Sequence, residues 1–580
     1  PWRRRHELGT GAGLARHLEG HRSPGLGTGL RKGFAIDTHT PSLHPVAAPT
    51  PTARAALRPL GPGGSRIRAG FWHARQQTNR DVTIPSAASR LEESGTLQNL
   101  RSAAAGAGGP YEGRPFADSD VYKWLEALAW EQAREPAPEL ARWQEATTAL
   151  VARAQADDGY LNSHVQVTRG GADRYADLES GHELYCAGHL MQAAVAQHRA
   201  TGDRALLEVA VRLADHLVAT FGPGGRDGVD GHPEVETALV ELFRETGRRE
   251  YLELGRSFVE RRGHGTLGLR GHHGPAYLQD RVPVREADTV EGHAVRAMYL
   301  AAGATDVAVE TGDEQLLSAL QSAWDSMVTS KMYLTGGIGS RWYGEAFGDP
   351  YELPPDAAYC ETCAAIGSVQ WSWRLLLATG RARYADLIER TLYNAVLPGV
   401  SLDGRDFFYV NTLRVRGGAF PDDQRSALAG RQPWYGTACC PPNVMRTFAS
   451  LDHYLATTDD HGVQVHQYAP GDVRATVAGA AAALRVTTEY PRDGRVELEV
   501  VDTPAAPWTL SLRIPSWAAG ATVTIDGEAV PGVGAGGYLP VRRTWRRGDR
   551  VTLDLPVRPR LTVPDPRVES VRGCVAIERG

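Results

Sequence analysis

Between residues 190 and 395 the chain repeats one local arrangement of apolar and polar positions. An apolar run through Ala193-Ala194-Val195-Ala196 stops at Thr201-Gly202-Asp203, and Leu206, Leu207, Val211 and Leu217 then mark a second helical face. Ala238–Leu242 runs to Thr246-Gly247 ahead of Tyr251, Leu252, Leu254 and Phe258. Val307 leads to Thr311-Gly312-Asp313 ahead of Leu316, Leu317 and Leu320, and Leu375 to Thr379-Gly380 ahead of Tyr384, Leu387, Ile388 and Leu392. Apolar residues three and four apart define an amphipathic helix. Glycine accepts the left-handed conformation that ends one, and the short link folds the next helix back antiparallel. Four such hairpins, 45 to 68 residues apart, are too uneven for a regular solenoid, so they predict a closed ring. Asp118 or Ser119 caps an earlier helix carrying Val121, Leu125 and Leu128, and Leu140, Trp143 and Leu150 mark another.

After residue 460 the period changes from helical to alternating, in Val463–Tyr468, Val496–Val500, Thr509–Ile514 and Val551–Leu555, with Asp493-Gly494 and Asp526-Gly527 as turn signals. The fold class is therefore mainly α with β: an α/α toroid over residues 67–458, then a β-sandwich over 459–580. Val575–Gly580 reads as an unfinished strand, with more chain expected beyond it. Residues 1–66 are rich in Pro, Gly, Arg and Ala without periodicity and predict a disordered or mis-started extension.

Composition removes several classes of function. A net charge of −5 and a pI of about 6.5 give no basic nucleic-acid footprint. No apolar run is long enough to span a membrane, and no apolar stretch follows Arg3-Arg4-Arg5 as a secretory signal requires. Six cysteines in 580 residues make no disulfide scaffold, so reduced thiols and a cytoplasmic location are expected.

Four of those cysteines fall in two short clusters, Tyr359-Cys360-Glu361-Thr362-Cys363 and Cys439-Cys440. A vicinal pair strains the geometry of a disulfide with itself, whereas both sulfurs can face one ion. Thiolates beside a carboxylate suit zinc, which takes four ligands in a tetrahedron. Cys363, Cys439 and Cys440 supply three ligands, and two residues compete for the fourth. Cys360 and Cys363, three apart, share a helical face; Glu361 and Cys363, two apart, meet one ion only at a helix start or on irregular backbone. Spacing alone favours four cysteines around a structural zinc. A redox pair, Cys360 with Cys363, lacks the preceding strand of such motifs. Cys186 and Cys574 are expected to be buried as small hydrophobes. Asp157-Asp158-Gly159-Tyr160 lacks the spaced acids of a calcium loop and predicts a turn at a pocket rim. His182 and His189, seven apart, share a helix face but form no metalloprotease motif.

Six further segments carry a resemblance: Gly336-Gly337-Ile338-Gly339-Ser340, Gly344-Glu345-Ala346-Phe347, Tyr359–Ala364, Glu389–Asn394, Phe407–Asn411 and Cys439-Cys440-Pro441-Pro442-Asn443. From Gly70-Phe71-Trp72 to its end the chain resembles the β-L-arabinofuranosidases of glycoside hydrolase family 127. The resemblance implies an (α/α)6 barrel with β-sandwich domains, a second sandwich in full-length relatives, and retaining cleavage of short L-arabinofuranose-containing oligosaccharides. It also implies Zn2+ held by Glu361, Cys363, Cys439 and Cys440, with Cys439 as nucleophile and Glu345 as general acid/base. His182, His293 and Tyr409 are implied as sugar-binding, against the plainer reading of packed core groups, which is preferred for His189. The Gly336–Gly339 run fits no phosphate loop and is expected to give backbone clearance near the sugar. A small oligosaccharide is the expected partner, with no nucleic acid and no membrane; a homodimer is left open. The rivals are another sugar specificity, a catalytically silent zinc-stabilised toroid that binds glycans, and a metal-free polysaccharide lyase.

Overall fold

The computed structural model describes residues 45–268, 273–418 and 423–580. Residues 1–44, most of the predicted extension, lie outside the described residues.

Six helices form an inner ring: Asp118–Arg134, Glu183–Thr201, Val235–Thr246, Ala294–Thr311, Thr362–Thr379 and Cys440–Ala449. Each packs beside the next in that order, and the last closes against the first. Antiparallel partners Pro138–Ala154, Ala205–Phe221, Arg249–Arg261, Glu314–Ser326 and Ala382–Thr391 form an outer layer. The sixth outer place is filled by Gly70–Thr78 and Ile84–Glu93, which run on through a π-helical turn at Asn79–Thr83. Sequence explains the two layers. Glu183–Thr201 is buried nearly all round, as an inner helix must be, whereas Arg249–Arg261 buries only the stripe Tyr251, Leu252, Leu254, Phe258 and Val259. The four Thr-Gly stops hold: Gly202, Gly247, Gly312 and Gly380 all have φ near +70° and close the last turn of an inner helix.

The strands follow as a β-sandwich. A five-stranded sheet runs in the order Arg58–Pro59, Ala456–Thr458, Gly462–Val465, Trp508–Ile514, Gly537–Arg543. A seven-stranded sheet runs Glu528–Ala529, Thr522–Ile525, Arg550–Asp554, Arg495–Asp502, Ala480–Thr488, Gly471–Val477, Ser65–Ile67. Val496, Leu498, Val500, Leu510, Leu512 and Ile514 fill the space between them. Val575–Gly580 does supply a strand, Ala576–Arg579, paired with Pro559–Thr562.

The expectation of disorder up to residue 66 is corrected over residues 45–66. Arg58–Pro59 joins one sheet and Ser65–Ile67 the other. Upstream of them, Arg54 N donates to Val309 O at 2.9 Å and Leu57 N to Leu377 O at 3.0 Å. The segment thus crosses the C-terminal ends of inner helices and satisfies carbonyls that a helix end leaves unpaired. Its order comes from distant partners rather than from local periodicity.

Barrel and sandwich are joined by Arg513, fully buried and paired with Asp386 and Glu389 of the outer layer. A groove of about 950 Å³ runs beside this joint, lined by Tyr393, Tyr490, Trp517 and Glu578 among others. It holds none of the predicted site residues. Among the described residues no helix is long and apolar enough to cross a membrane.

Candidate active site

The predicted site residues gather where the inner helices begin. His182, His293, Glu361 and Cys439 each stand immediately before an inner helix. All inner helices run the same way, so these four positions converge on one end of the barrel, opposite the end closed by residues 45–57. Helix N-termini carry a partial positive charge and favour anions.

Glu361 caps the Thr362–Thr379 helix, and Cys363 lies in its first turn. That helix start lets residues two apart face one point. Thr362 N donates to Tyr409 O at 3.0 Å, and Asn411 Nδ2 donates to Cys360 O at 3.1 Å, so Phe407–Asn411 runs antiparallel beside the cluster. Pro441 and Pro442 open the Cys440–Ala449 helix, where a missing N–H costs nothing. The ligand atoms of Glu361, Cys363, Cys439 and Cys440 lie within 4.8 Å of one another. Cys363 and Cys440 sulfurs are 3.4 Å apart, Cys439 and Cys440 sulfurs 3.9 Å, and Cys439 Sγ is 3.4 Å from Glu361 Oε1. A tetrahedral zinc, with bonds of about 2.3 Å to sulfur and about 2.0–2.2 Å to oxygen, has ligand–ligand edges of roughly 3.5–3.8 Å.

The chemistry of the donor set also asks for a cation. Burial, then the neighbouring Cys439 and Glu345, push the Glu361 carboxyl well up; burial and the neighbouring thiols do the same to Cys440. The hydrogen bond to Cys363 pushes the Cys439 thiol up. Burial opposes ionisation of Cys363, but hydrogen bonds from Cys439 and Cys440 bring it down to about 7. Three of the four crowded acids, Glu361, Cys439 and Cys440, hold on to protons that a divalent cation displaces. Glu361 Oε2 is buried without a hydrogen-bond partner among the described residues. The residues fit zinc.

Cys360 is not part of this set. Its backbone is left-handed at φ +37°, and its sulfur packs among Tyr333, Ala358 and Leu353, away from the other three. The spacing argument for a fourth cysteine fails because the helix starts after Glu361, so Cys360 and Cys363 share no helical face. The glycine run is corrected with it. A Cβ on Gly336 would meet Thr391 at 2.4 Å and one on Gly337 would meet the Cys360 sulfur at 3.0 Å, so the clearance serves protein packing.

Glu345 approaches from a turn at Tyr343–Glu345, with Gly344 at φ +73° and Glu345 itself at φ +50°. Ala346 bridges to both His293 and Arg341, which holds this strained backbone against the start of the Ala294–Thr311 helix. Glu345 Oε2 lies 3.2 Å from His293 Nε2, and Oε1 takes a 2.8 Å hydrogen bond from Arg425 Nη1. Arg425 is braced by Asp423 and lies over the rings of Trp342 and Tyr409. Burial opposes the charge on Glu345, but the His293 hydrogen bond and the Arg425 guanidinium outweigh it and hold the carboxyl down at about 2. Glu345, His293 and Glu361 also lie within 4.8 Å of one another. Glu361 is thus common to the thiol cluster and the carboxylate–histidine pair.

Backbone contacts fix the tautomers of three imidazoles that line this mouth. His182 Nδ1 donates to Ser180 O at 2.6 Å and His232 Nδ1 to Pro233 O at 2.9 Å, leaving Nε2 of each as an acceptor. His293 Nδ1 instead accepts from Val295 N at 3.1 Å, so its Nε2 carries the hydrogen toward Glu345. Burial keeps all three neutral, with His182 lowered to about 3. Their rings form a row, with centroids 5.9 Å apart at each step. Tyr409 OH lies 3.3 Å from the Cys439 sulfur.

His189 is packed in the barrel interior between Tyr185 and Tyr299, as the plainer reading had it. Asp157–Tyr160 does form a turn, tied to Arg174 rather than to the cluster, while Tyr160 reaches Glu183 beside His182. Cys186 is buried but Cys574 is exposed, against expectation, because it sits on the turn before the last strand. Sequence reasoning missed His232 and Arg425. Gly231-His232-Pro233 ahead of an inner helix repeats the placement of His182 and His293 and was a usable signal; Arg425 stands in an irregular loop and offered none.

A cluster of neutral imidazole acceptors, a hydrogen-bonded carboxylate and a set of soft metal donors suits hydroxyl-rich ligands. On this barrel it marks a carbohydrate-active enzyme, and the protein is a glycoside hydrolase. It belongs to glycoside hydrolase family 127: residues 65–453 match the family model described as the β-L-arabinofuranosidase GH127 catalytic domain, and residues 462–557 match the GH127 middle domain. A curated relative is a non-reducing end β-L-arabinofuranosidase of Bifidobacterium longum subsp. longum, 38% identical over 536 residues, covering 86% of this chain and 80% of that one. Among solved structures, a GH127 β-L-arabinofuranosidase from Geobacillus stearothermophilus T6 is 38% identical with a TM-score of 0.86, covering 89% of this chain and 85% of that one. A second GH127 β-arabinofuranosidase is 36% identical with a TM-score of 0.84, covering 91% and 84%.

Proposed function

We propose that the protein is a retaining β-L-arabinofuranosidase in which Cys439 is the nucleophile and Glu345 the general acid/base. The observation that carries this reading is Glu361, whose carboxylate meets the Cys439 sulfur at 3.4 Å and lies within 4.8 Å of the Glu345–His293 pair. It sets a nucleophilic sulfur and a proton-carrying carboxylate around one pocket, the roles that a retaining glycosidase divides between two carboxylates.

Glu361, Cys363, Cys439 and Cys440 would hold Zn2+, which keeps bound sulfur in its thiolate form at neutral pH. Cys439 sulfur attacks the anomeric carbon while Glu345 gives its proton to the departing glycosidic oxygen, and the bond to that oxygen breaks. Glu345, now a carboxylate, takes a proton from water as the water oxygen attacks the anomeric carbon and expels the Cys439 thiolate. The first step needs a proton on Glu345, yet the free site holds this carboxyl down at about 2. A seated sugar excludes water from the carboxylate and thereby favours its neutral form. Nε2 of His182 and of His232 accept hydrogen bonds from sugar hydroxyls, and His293 orients Glu345.

The test is hydrolysis of an aryl β-L-arabinofuranoside by reduced, zinc-loaded protein, with Glu345→Gln beside it. The expected result is turnover by the wild type, reduced by about 10²–10⁴ in the variant. Equal rates would reject Glu345 as acid/base, and an inert wild type would reject this sugar.

A further inference from the structure

A ladder of aromatic rings leads outward from the Glu345 turn. Tyr277 lies with its ring 5.2 Å from His293, the imidazole that hydrogen-bonds Glu345. His273 stacks on Tyr277 at 4.0 Å and 17°, and Tyr343 follows 5.2 Å from His273. Tyr343 is 70% exposed. The inner rung is held rigidly: the Arg296 guanidinium lies 4.3 Å over Tyr277, and Arg296 is itself anchored to Gly231 O. Tyr343 opens the tight turn that ends in Glu345, so its place is fixed relative to that carboxylate.

One exposed tyrosine needs no explanation. A rigid series of rings that starts at the partner of Glu345 and ends in solvent does. In the mechanism above, the departing oxygen takes its proton from Glu345, so the group it belongs to leaves on the side of this turn. We propose that Tyr343, propped by His273 and Tyr277, forms an aglycone subsite whose exposed ring stacks the sugar on the leaving side of the scissile bond. This rests on the reading of Glu345 as general acid. The ligand class is a neutral monosaccharide ring. Its apolar C–H face covers an aromatic face, which buries area without demanding a charge partner. The other wall, Trp342 under Arg425, is already covered by the guanidinium and faces Tyr359.

The experiment compares two substrates that share the glycone: a β-linked arabinofuranosyl disaccharide, and methyl β-L-arabinofuranoside, which has no aglycone ring. The quantity read is the ratio of their kcat/KM values. With Tyr343→Ala and Tyr343→Leu that ratio should fall roughly five- to tenfold, the worth of one aromatic stacking contact, and Tyr343→Phe should restore it. A structural defect would lower both substrates together and leave the ratio unmoved, and an unmoved ratio in Tyr343→Ala overturns the subsite. If the wild type cleaves neither substrate, the sugar assignment falls and the subsite with it; if Glu345→Gln cleaves both as fast as the wild type, the reading of Glu345 falls, so these failures are distinguishable from an unmoved ratio.

Discussion

His293 faces Glu345 through Nε2 at 3.2 Å while its Nδ1 accepts the Val295 amide at 3.1 Å. One side chain therefore caps the Ala294–Thr311 helix and fixes the Glu345 carboxylate, and the cap is what makes its other nitrogen a permanent donor. The imidazole is buried and neutral, so it orients Glu345 without becoming a competing acid.

The two roles separate by substitution. In His293→Asn the shorter side chain still caps the helix but cannot reach Glu345, so kcat should fall about 10–100-fold with little loss of stability. His293→Ala should lose both, adding about 1 kcal/mol of destabilisation. Denaturant melts beside kcat measurements check this; an Asn variant with wild-type kcat would sink it.

Metal uptake should release protons and strengthen as pH rises. Glu361, Cys439 and Cys440 are all pushed up, so each gives up a proton to become a ligand. Calorimetric zinc titration in buffers of different ionisation enthalpy measures that release directly. Cys363→Ser should retain less than stoichiometric zinc after dialysis, whereas Cys360→Ser should retain it fully, since Cys360 lies outside the set.

Arg425→Ala should move the alkaline limb of kcat/KM to higher pH, because Glu345 must carry a proton in the first step. Removing the guanidinium removes one of the partners that hold Glu345 down, beside His293 and Tyr359, and its carboxyl rises toward the ordinary range. The same shift appears in stability. A carboxyl lowered on folding stabilises the protein fully above its unfolded pKa, and that contribution is lost as pH falls through the folded value of about 2. The variant should lose part of this contribution, so its deficit is largest above the unfolded pKa and closes as pH falls toward about 2. A pH–rate profile identical to the wild type would reject the ion pair.

Arg513→Ala should cost about 3–5 kcal/mol, because it strands Asp386 and Glu389 at the joint between barrel and sandwich. Arg513→Lys should recover little, since one ammonium cannot serve two carboxylates as the guanidinium fork does. Thermal unfolding reads both; a wild-type melting point for the alanine variant would show that the joint rests on other contacts.

The sequence was most legible where one residue carries a local rule. Gly202, Gly247, Gly312 and Gly380 could be read as helix ends because the left-handed cap is a property of the backbone itself. Cys439-Cys440 was legible because two adjacent sulfurs have few other uses. The competition between Cys360 and Glu361 was not, since it turns on where one helix begins, and an error of a single residue swings the side chains to another face. Arg425 and the strands at Arg58–Pro59 and Ser65–Ile67 were hidden for a different reason: their partners lie 80 to about 400 residues away.

Those two short strands also set a schedule. Ser65–Ile67 pairs with Gly471–Val473, and Arg58–Pro59 with Thr457–Thr458. At synthesis rates of about 5–20 residues per second, each emerges on the order of 20–80 s before its partner exists. Through that interval the nascent barrel carries two unpaired ladder edges, and neither sheet can reach its full width until the opening of the chain returns to meet its far end.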